Sequence, residues 1–126
     1  MVDDDVDILE VLRRGLKARG FEVDAYTFPQ EALQSFKPKI YDVAILDIRM
    51  PVMTGFQLYR EIKKIDPAIS VCFLSAFDIL PDEFKSVFPS MNDVKTIIKK
   101  PISINEVLRQ IKPLLLMSTL SRENLS

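Results

Sequence analysis

The sequence predicts an α/β fold in which a parallel sheet carries helices on both faces. Short apolar runs alternate with amphipathic helical stretches along the 126 residues, and this alternation is typical of doubly wound sheets. Two of the runs, Val43–Leu46 and Val71–Leu74, are continuous and bounded by turn residues. Such runs are typical of strands that are buried on both faces of a sheet.

Three further segments complete the predicted sheet. The first strand is very short, because only two residues precede a triplet of aspartates. Phe21, Val23 and Ala25 alternate with acidic residues, as expected of an edge strand with one solvent-facing side. Val94–Ile98 is a weaker candidate for the last strand. The predicted order of elements is therefore β-α-β-α-β-α-β-α-β-α.

Five helices are predicted. The first places Leu9, Leu12 and Leu16 on one face and ends before Gly20, a residue common just past helix ends. The other helices are indicated by a proline in the first turn, by apolar spacing or by a capping box. They cover approximately residues 29–36, 58–65, 83–87 and 103–111, and Pro81 and Pro89 should keep the fourth helix short.

Composition excludes several classes of function. Lys and Arg number 17 and Asp and Glu number 18, a net charge of −1, so no basic surface favours direct binding of nucleic acid. No apolar run is long enough to span a membrane and no signal peptide is visible, so we expect a cytoplasmic protein. Cys72 is the single cysteine and is expected in the core. The chain has no histidine, so any phosphohistidine must belong to a partner.

Polar side chains stand at the predicted carboxyl ends of four strands. Asp3 and Asp4 follow the first strand, and Asp47, Ser75 and Lys100 end three others. In a doubly wound sheet these strand ends lie at the edge where ligands bind. Crowded carboxylates repel one another unless a cation intervenes, and oxygen ligands at an open site favour Mg²⁺. Together with a hydroxyl and an ammonium group, they suit phosphoryl transfer to an aspartate.

Four motifs together resemble the receiver domains of two-component response regulators, including chemotaxis-regulator-like ones. They are Val2–Asp5, Leu46–Gly55, Ser75–Ala76 and Lys100–Pro101, in the order and spacing of that family, and the resemblance covers about residues 1–116. It implies a flavodoxin-like sheet of five strands in the order 2-1-3-4-5. We expect a receiver domain over residues 1–117 and a polar, frayed tail or linker over residues 118–126.

The resemblance implies a role for each metal-binding residue. Asp4 would ligate Mg²⁺ directly, whereas Asp3 would act largely through water. Asp47 would bind the metal and accept the phosphoryl group, and Arg49 would lend its backbone carbonyl. The next aspartate, Asp5, is interpreted as a helix cap and not as a ligand.

The resemblance also implies how the phosphoryl group is received and read. A sensor histidine kinase or a histidine phosphotransfer protein would donate it. Ser75 would donate a hydrogen bond to a phosphoryl oxygen, and Lys100 would pair with Asp47 or its phosphoryl group. The peptide before Pro101 is usually cis in the family. The domain would be a signalling module and not an enzyme acting on a separate substrate.

Some positions depart from the family pattern or modify it. Ile97 stands where the family usually has an aromatic switch residue, which puts relay through a rotating ring in doubt. Ser90–Met91 replaces the usual Gly-Ala pair. Arg49 and Phe77 lie two positions after Asp47 and Ser75, respectively, and we hypothesise that their bulk slows loss of the phosphoryl group.

Two alternative functions are considered. A degenerate receiver would work independently of phosphorylation, as a dimerisation or interaction module. Ile97 and the short first strand favour it, and the intact set of acidic, hydroxyl and lysine residues disfavours it. The run Leu114–Leu116 is either core or an exposed face of a homodimer. A phosphatase resembling haloacid dehalogenases would need a second acid where this chain has Arg49.

Overall fold

The computed structural model describes residues 1–76, 94–100 and 103–124, and for residues 94–96 and 117–124 it describes the backbone only. Several features of the sequence analysis lie outside the described residues. These are the helix predicted at residues 83–87, Phe77, the pair Ser90–Met91, and Pro101 with its predicted cis peptide bond.

Each described helix and strand lies at a predicted position, and the apolar runs at residues 43–46, 71–74 and 94–98 each form a strand. β1 and β2 are buried along nearly their whole length, as expected of strands covered on both faces. The elements are α1 Val6–Lys17, α2 Pro29–Ser35, β1 Val43–Asp47, α3 Gly55–Ile65, β2 Ser70–Ser75, β3 Val94–Lys99 and α4 Ile104–Asn124.

The three described strands form a parallel sheet with β2 in the centre. Val2 adds single parallel bridges to Leu46 on one side and to Tyr26 on the other. Its backbone N–H donates to the carbonyl of Ile45 at 2.9 Å, and its carbonyl accepts from the N–H of Asp47 at 2.9 Å. The chain start therefore lies beside the end of β1.

The predicted edge strand around Phe21, Val23 and Ala25 does not appear as a strand among the described residues. Tyr26 forms a single bridge to Val2, and the N-terminal ammonium of Met1 donates to the carbonyl of Asp24 at 2.9 Å. These contacts do not extend into a ladder along the segment. The bridges are compatible with the predicted order 2-1-3-4-5, which remains a prediction for the sheet as a whole.

The core consists of two apolar layers, one on each face of the sheet. Successive residues of β1 and β2 point to opposite layers, since side chains alternate along a strand. Leu46 and Phe73 join the layer that contains α3, while Ile45 and Leu74 join the layer that contains α1 and α4. The predicted face of α1 is confirmed, because its three leucines are buried. The prediction of helices on both faces is thereby confirmed.

The last helix continues through Asn124, across the domain boundary predicted at residue 117. Within the run Leu114–Leu116, Leu114 is buried, Leu115 is half-buried and Leu116 is 63% exposed. The run therefore contributes both to the core and to the surface. No helix in the described part of the chain has the length and apolar character needed to cross a membrane.

Candidate functional site

The structure brings three predicted acidic residues together at the carboxyl end of the sheet. Asp3, Asp4 and Asp47 each place one carboxylate oxygen within 4.8 Å of the others. Asp47 ends β1, and the bridge from Val2 to Leu46 sets Asp3 beside it. Asp3 and Asp47 are buried, whereas Asp4 faces solvent. The cluster thus has a buried base and one open side.

Lys100 reaches this cluster from the end of β3. Its Nζ lies 3.0 Å from Oδ2 of Asp3 and 3.3 Å from Oδ1 of Asp47. The backbone N–H of Lys100 donates to the carbonyl of Ser75 at 2.7 Å, which ties the residue to the end of β2. Pairing with Asp47 was expected from the family resemblance, but pairing with Asp3 was not. One ammonium group faces three carboxylates, so the cluster retains negative charge.

The two carboxylate oxygens of Asp3 differ in their hydrogen bonds. Oδ1 accepts a hydrogen bond from the N–H of Asp5 at 2.9 Å and from Nζ of Lys100 at 3.3 Å. Oδ2 is buried and accepts no hydrogen bond within the described residues. Its 3.0 Å contact with Lys100 is an ion pair without hydrogen-bond geometry. The nearby ammonium of Lys100 offsets part of the cost of burying this oxygen, and an oxygen that accepts no hydrogen bond keeps lone pairs for a ligand bond to Mg²⁺.

Burial and crowding change the acidity of the site. Burial, reinforced by the charge of Asp3, raises the pKa of Asp47 to about 7, and Lys100 offsets this only in part. Burial alone would lower the pKa of Lys100, but its hydrogen bond to Asp3 and the charges of Asp3 and Asp47 outweigh burial and raise it. Lys100 is therefore a permanent cation. Asp47 needs additional positive charge nearby to be fully ionised at neutral pH.

Asp5 is confirmed as a helix cap. Its carboxylate accepts from the N–H groups of Asp7 at 3.1 Å and Ile8 at 3.3 Å, two donors that the first turn of α1 leaves unpaired. Its own N–H holds Asp3. The start of α1 therefore fixes Asp3, because Asp5 both caps the helix and donates the hydrogen bond to Asp3.

The loop from β1 to α3 forms another side of the site. Thr54 and Gln57 form a capping box at the start of α3, and the N–H of Gly55 donates to the carbonyl of Ile48 at 2.9 Å. The close approach of Gly55 to the end of β1 was not deduced from the sequence. The glycine at the end of the acceptor motif was the only signal that could have indicated it. Arg49 is exposed on this loop.

Two open pockets adjoin the acidic cluster and share the side chains of Asp4 and Arg49. The pocket over the cluster has a volume of about 340 Å³, and the one beside it, toward α3, about 510 Å³. The first is lined by Asp4, Asp5, Asp47, Arg49, Ala76 and Lys100. A phosphoryl group could therefore reach Asp47 from solvent.

Three other predicted residues have defined places. Ser75 is buried at the end of β2, one residue beyond the partner of Asp47 in the sheet. Ile97 is half-buried, packs against the core layer of α3 and pairs with Phe73. Cys72 is confirmed as a core residue, and burial raises the pKa of its thiol to about 12. It is therefore a protonated, unreactive side chain at neutral pH.

The sequence matches a family model described as the response regulator receiver domain, over residues 1–112. Among curated proteins, it is 35% identical over 115 residues to the transcriptional regulatory protein PrrA of Mycobacterium tuberculosis, covering 91% of this chain and 48% of PrrA. It is 31% identical over 124 residues to the heme response regulator HssR of Staphylococcus epidermidis, covering 98% of this chain and 54% of HssR. The chain thus spans about half the length of these relatives.

Solved structures of receiver domains are similar to this fold. A CheY-like response regulator receiver domain protein from Methanospirillum hungatei has a TM-score of 0.82 at 27% identity, with 95% of this chain and 94% of that chain covered. A receiver domain from Clostridium thermocellum has a TM-score of 0.80 at 26% identity, with 94% of each chain covered. The α/β fold with a parallel sheet is the fold of these proteins.

Proposed function

Because the chain belongs to the receiver-domain family of two-component response regulators, we propose that it accepts a phosphoryl group on Asp47 from a phosphohistidine of a partner protein. The observation that carries the proposal is the convergence of three carboxylates with Lys100, whose Nζ lies 3.3 Å from Oδ1 of Asp47. The donor is a sensor histidine kinase or a histidine phosphotransfer protein, since this chain has no histidine. We place the domain in the cytoplasm, where such partners present their histidines.

Mg²⁺ is the proposed cofactor. Asp3, Asp4, Asp47 and the backbone carbonyl of Arg49 would hold it. The buried Oδ2 of Asp3, which accepts no hydrogen bond from the described residues, supports this choice. The bound ion would neutralise negative charge on the phosphoryl oxygens during transfer. Oxygen ligands and an open side suit Mg²⁺, which keeps several waters when bound to proteins.

In the proposed reaction, one carboxylate oxygen of Asp47 attacks phosphorus. The new O–P bond forms as the P–N bond to the donor imidazole breaks, and the imidazole nitrogen keeps the bonding electron pair. Lys100 compensates charge on the transferred group from the side of β3. The product is an acyl phosphate on Asp47, so the domain catalyses only its own phosphorylation and the later hydrolysis.

The proposed signal is a rearrangement around the phosphoryl group. Ser75, at the end of the neighbouring strand, would donate a hydrogen bond to a phosphoryl oxygen, and Lys100 would shift toward it. Ile97 is half-buried against the core, so the change would reach the surface by aliphatic repacking instead of ring rotation. A ligand shifts such an equilibrium only by binding the two states unequally.

The alternative function is a phosphorylation-independent interaction module. The aliphatic residue at position 97 favours it, and Leu116, 63% exposed on α4, offers apolar surface for a homodimer. Neither function includes direct binding of nucleic acid by this chain, in keeping with its net charge of −1.

Incubation with acetyl phosphate and Mg²⁺ distinguishes the two functions. We expect a gain in intact mass of one phosphoryl group that requires Mg²⁺ and is abolished by Asp47→Asn. Asp7→Asn is the matched control, because Asp7 is an exposed carboxylate near the site and should leave the gain intact. An unmodified parent protein at saturating Mg²⁺ would favour the interaction module.

A further inference from the structure

Gly55, the first residue of α3, lies directly against the backbone at the end of β1. A Cβ atom at this position would overlap the carbonyl oxygen of Asp47 and lie 3.0 Å from both the carbonyl carbon of Asp47 and Cα of Ile48. All of these atoms belong to the backbone, so no side-chain rotation could relieve the overlap. The position therefore requires a residue without Cβ.

Three hydrogen bonds hold the backbone of Asp47 and Ile48 in place. The N–H of Asp47 donates to Val2 at 2.9 Å on one side, and the N–H of Ile48 donates to Leu74 at 3.0 Å on the other. The carbonyl of Ile48 accepts from Gly55 at 2.9 Å. The strand end thus has little freedom to move away from α3, because it is already paired on both edges.

We propose that Gly55 is a positioning residue for the phosphoryl site, and that its contact with the Asp47 backbone sets where the Asp47 carboxylate stands relative to Asp3 and Asp4. The expected effect on Mg²⁺ binding rests on the proposed function. Mg²⁺ requires near-octahedral ligands at about 2.0–2.1 Å. Relief of the overlap at residue 55 would require α3 and the strand end to separate by about 1 Å. A shift of this size is large compared with the narrow range of Mg²⁺–oxygen distances.

The capping box at the start of α3 supports this role. Thr54 and Gln57 fix the first turn reciprocally, with hydrogen bonds of 3.2 Å and 2.9 Å. The turn that bears Gly55 is therefore rigid, and it transmits its position to Asp47 through direct contact. Arg49, whose carbonyl is a proposed metal ligand, lies in the loop between these two anchors.

The test compares Gly55→Ala with Ile62→Ala. Ile62 is a buried residue toward the other end of α3, so its truncation destabilises the same helix without touching Asp47. We expect the ¹³C chemical shift of the Asp47 carboxyl carbon, measured without metal, to change in Gly55→Ala and to stay at the parent value in Ile62→Ala. By calorimetry, Mg²⁺ affinity should fall at least tenfold in Gly55→Ala and less than twofold in Ile62→Ala.

An unchanged Asp47 carboxyl shift in Gly55→Ala, or equal losses of Mg²⁺ affinity in the two variants, would overturn the positioning role. If Gly55→Ala does not fold, Thr54→Val replaces it, because it removes the capping box without creating an overlap. A severalfold loss of Mg²⁺ affinity then supports the role, and a parent-like affinity overturns it. Failure of the parent itself to bind Mg²⁺ would count against the proposed function, whereas the metal-free shift would still decide the role of Gly55.

Discussion

Asp47 has to satisfy two opposed requirements. The proposed reaction needs an ionised Asp47 to attack phosphorus, but burial and the charge of Asp3 raise its pKa to about 7. Without metal, the folded protein holds a proton on Asp47 over a pH range in which the unfolded chain, with a carboxyl pKa near ~3.9, has released it. The stability contributed by that proton is fully present below pH ~4 and is lost as the pH rises to about 7.

We therefore expect the difference in stability between the parent and Asp47→Asn to depend on pH. With EDTA present, the stability of the variant relative to the parent should increase by about 1–3 kcal/mol as the pH rises from 4 to 7. Urea unfolding followed by circular dichroism measures this, with Asp7→Asn as the control for loss of an exposed carboxylate. A constant difference across the pH range would contradict the raised pKa of Asp47.

The grouping of site residues was predictable from the sequence, but their pairing was not. Asp3, Asp4, Asp47 and Lys100 were expected at one edge because the carboxyl ends of parallel strands meet there whatever the side chains do. The ion pair between Lys100 and Asp3 depends on side-chain conformation and on how deeply Asp3 is buried. Neither follows from the spacing of motifs along the chain.

At the scale of elements, segments with strong local signals were predicted best. β1 and β2 were evident because strands covered on both faces are continuously apolar. The segment around Val23 has the alternation of an edge strand, yet it forms no strand in the described structure. Its pairing depends on the adjacent chain start, where Val2 alone forms bridges. An alternating pattern indicates which face of a segment is exposed to solvent, but a strand also needs a neighbouring strand to pair with.

The loop from β1 to α3 carries a strained residue. Val52 has a φ of 72° and is 88% exposed, and the N–H of Met53 donates to the carbonyl of Pro51 across it at 2.8 Å. A β-branched residue in this left-handed region costs roughly 1–3 kcal/mol. Glycine would remove that cost, although it loses about 0.5–1 kcal/mol through its greater freedom in the unfolded chain.

Val52→Gly should therefore raise the free energy of unfolding by about 0.5–1 kcal/mol. Val52→Ala is the matched control, because it removes the same exposed methyl groups but keeps the Cβ that causes most of the strain. The midpoint of urea unfolding should be higher for Val52→Gly than for Val52→Ala. A glycine variant no more stable than the alanine variant would show that the loop bears no strain at this position.

At the scale of the whole molecule, the site joins parts of the chain that are far apart in sequence. Asp3 and Lys100 are 97 positions apart, and Nζ of Lys100 also contacts Asp47 at the end of β1. A ligand that binds these groups only when they are assembled must stabilise the entire fold. The global unfolding transition is therefore a measure of whether the site binds Mg²⁺.

Mg²⁺ at 100 times its dissociation constant should add about 2.7 kcal/mol to the free energy of unfolding and raise Tm by roughly 10 °C. NaCl at equal ionic strength should give almost no shift, because the effect is specific coordination and not screening. Asp4→Asn should fold normally, since Asp4 is exposed, but lose most of the Mg²⁺-dependent shift. Asp7→Asn, an equal change of charge three residues away, should keep it. Equal shifts in the two variants would mean that Mg²⁺ acts on the acidic surface generally, and the cluster of Asp3, Asp4 and Asp47 would then not be the metal site.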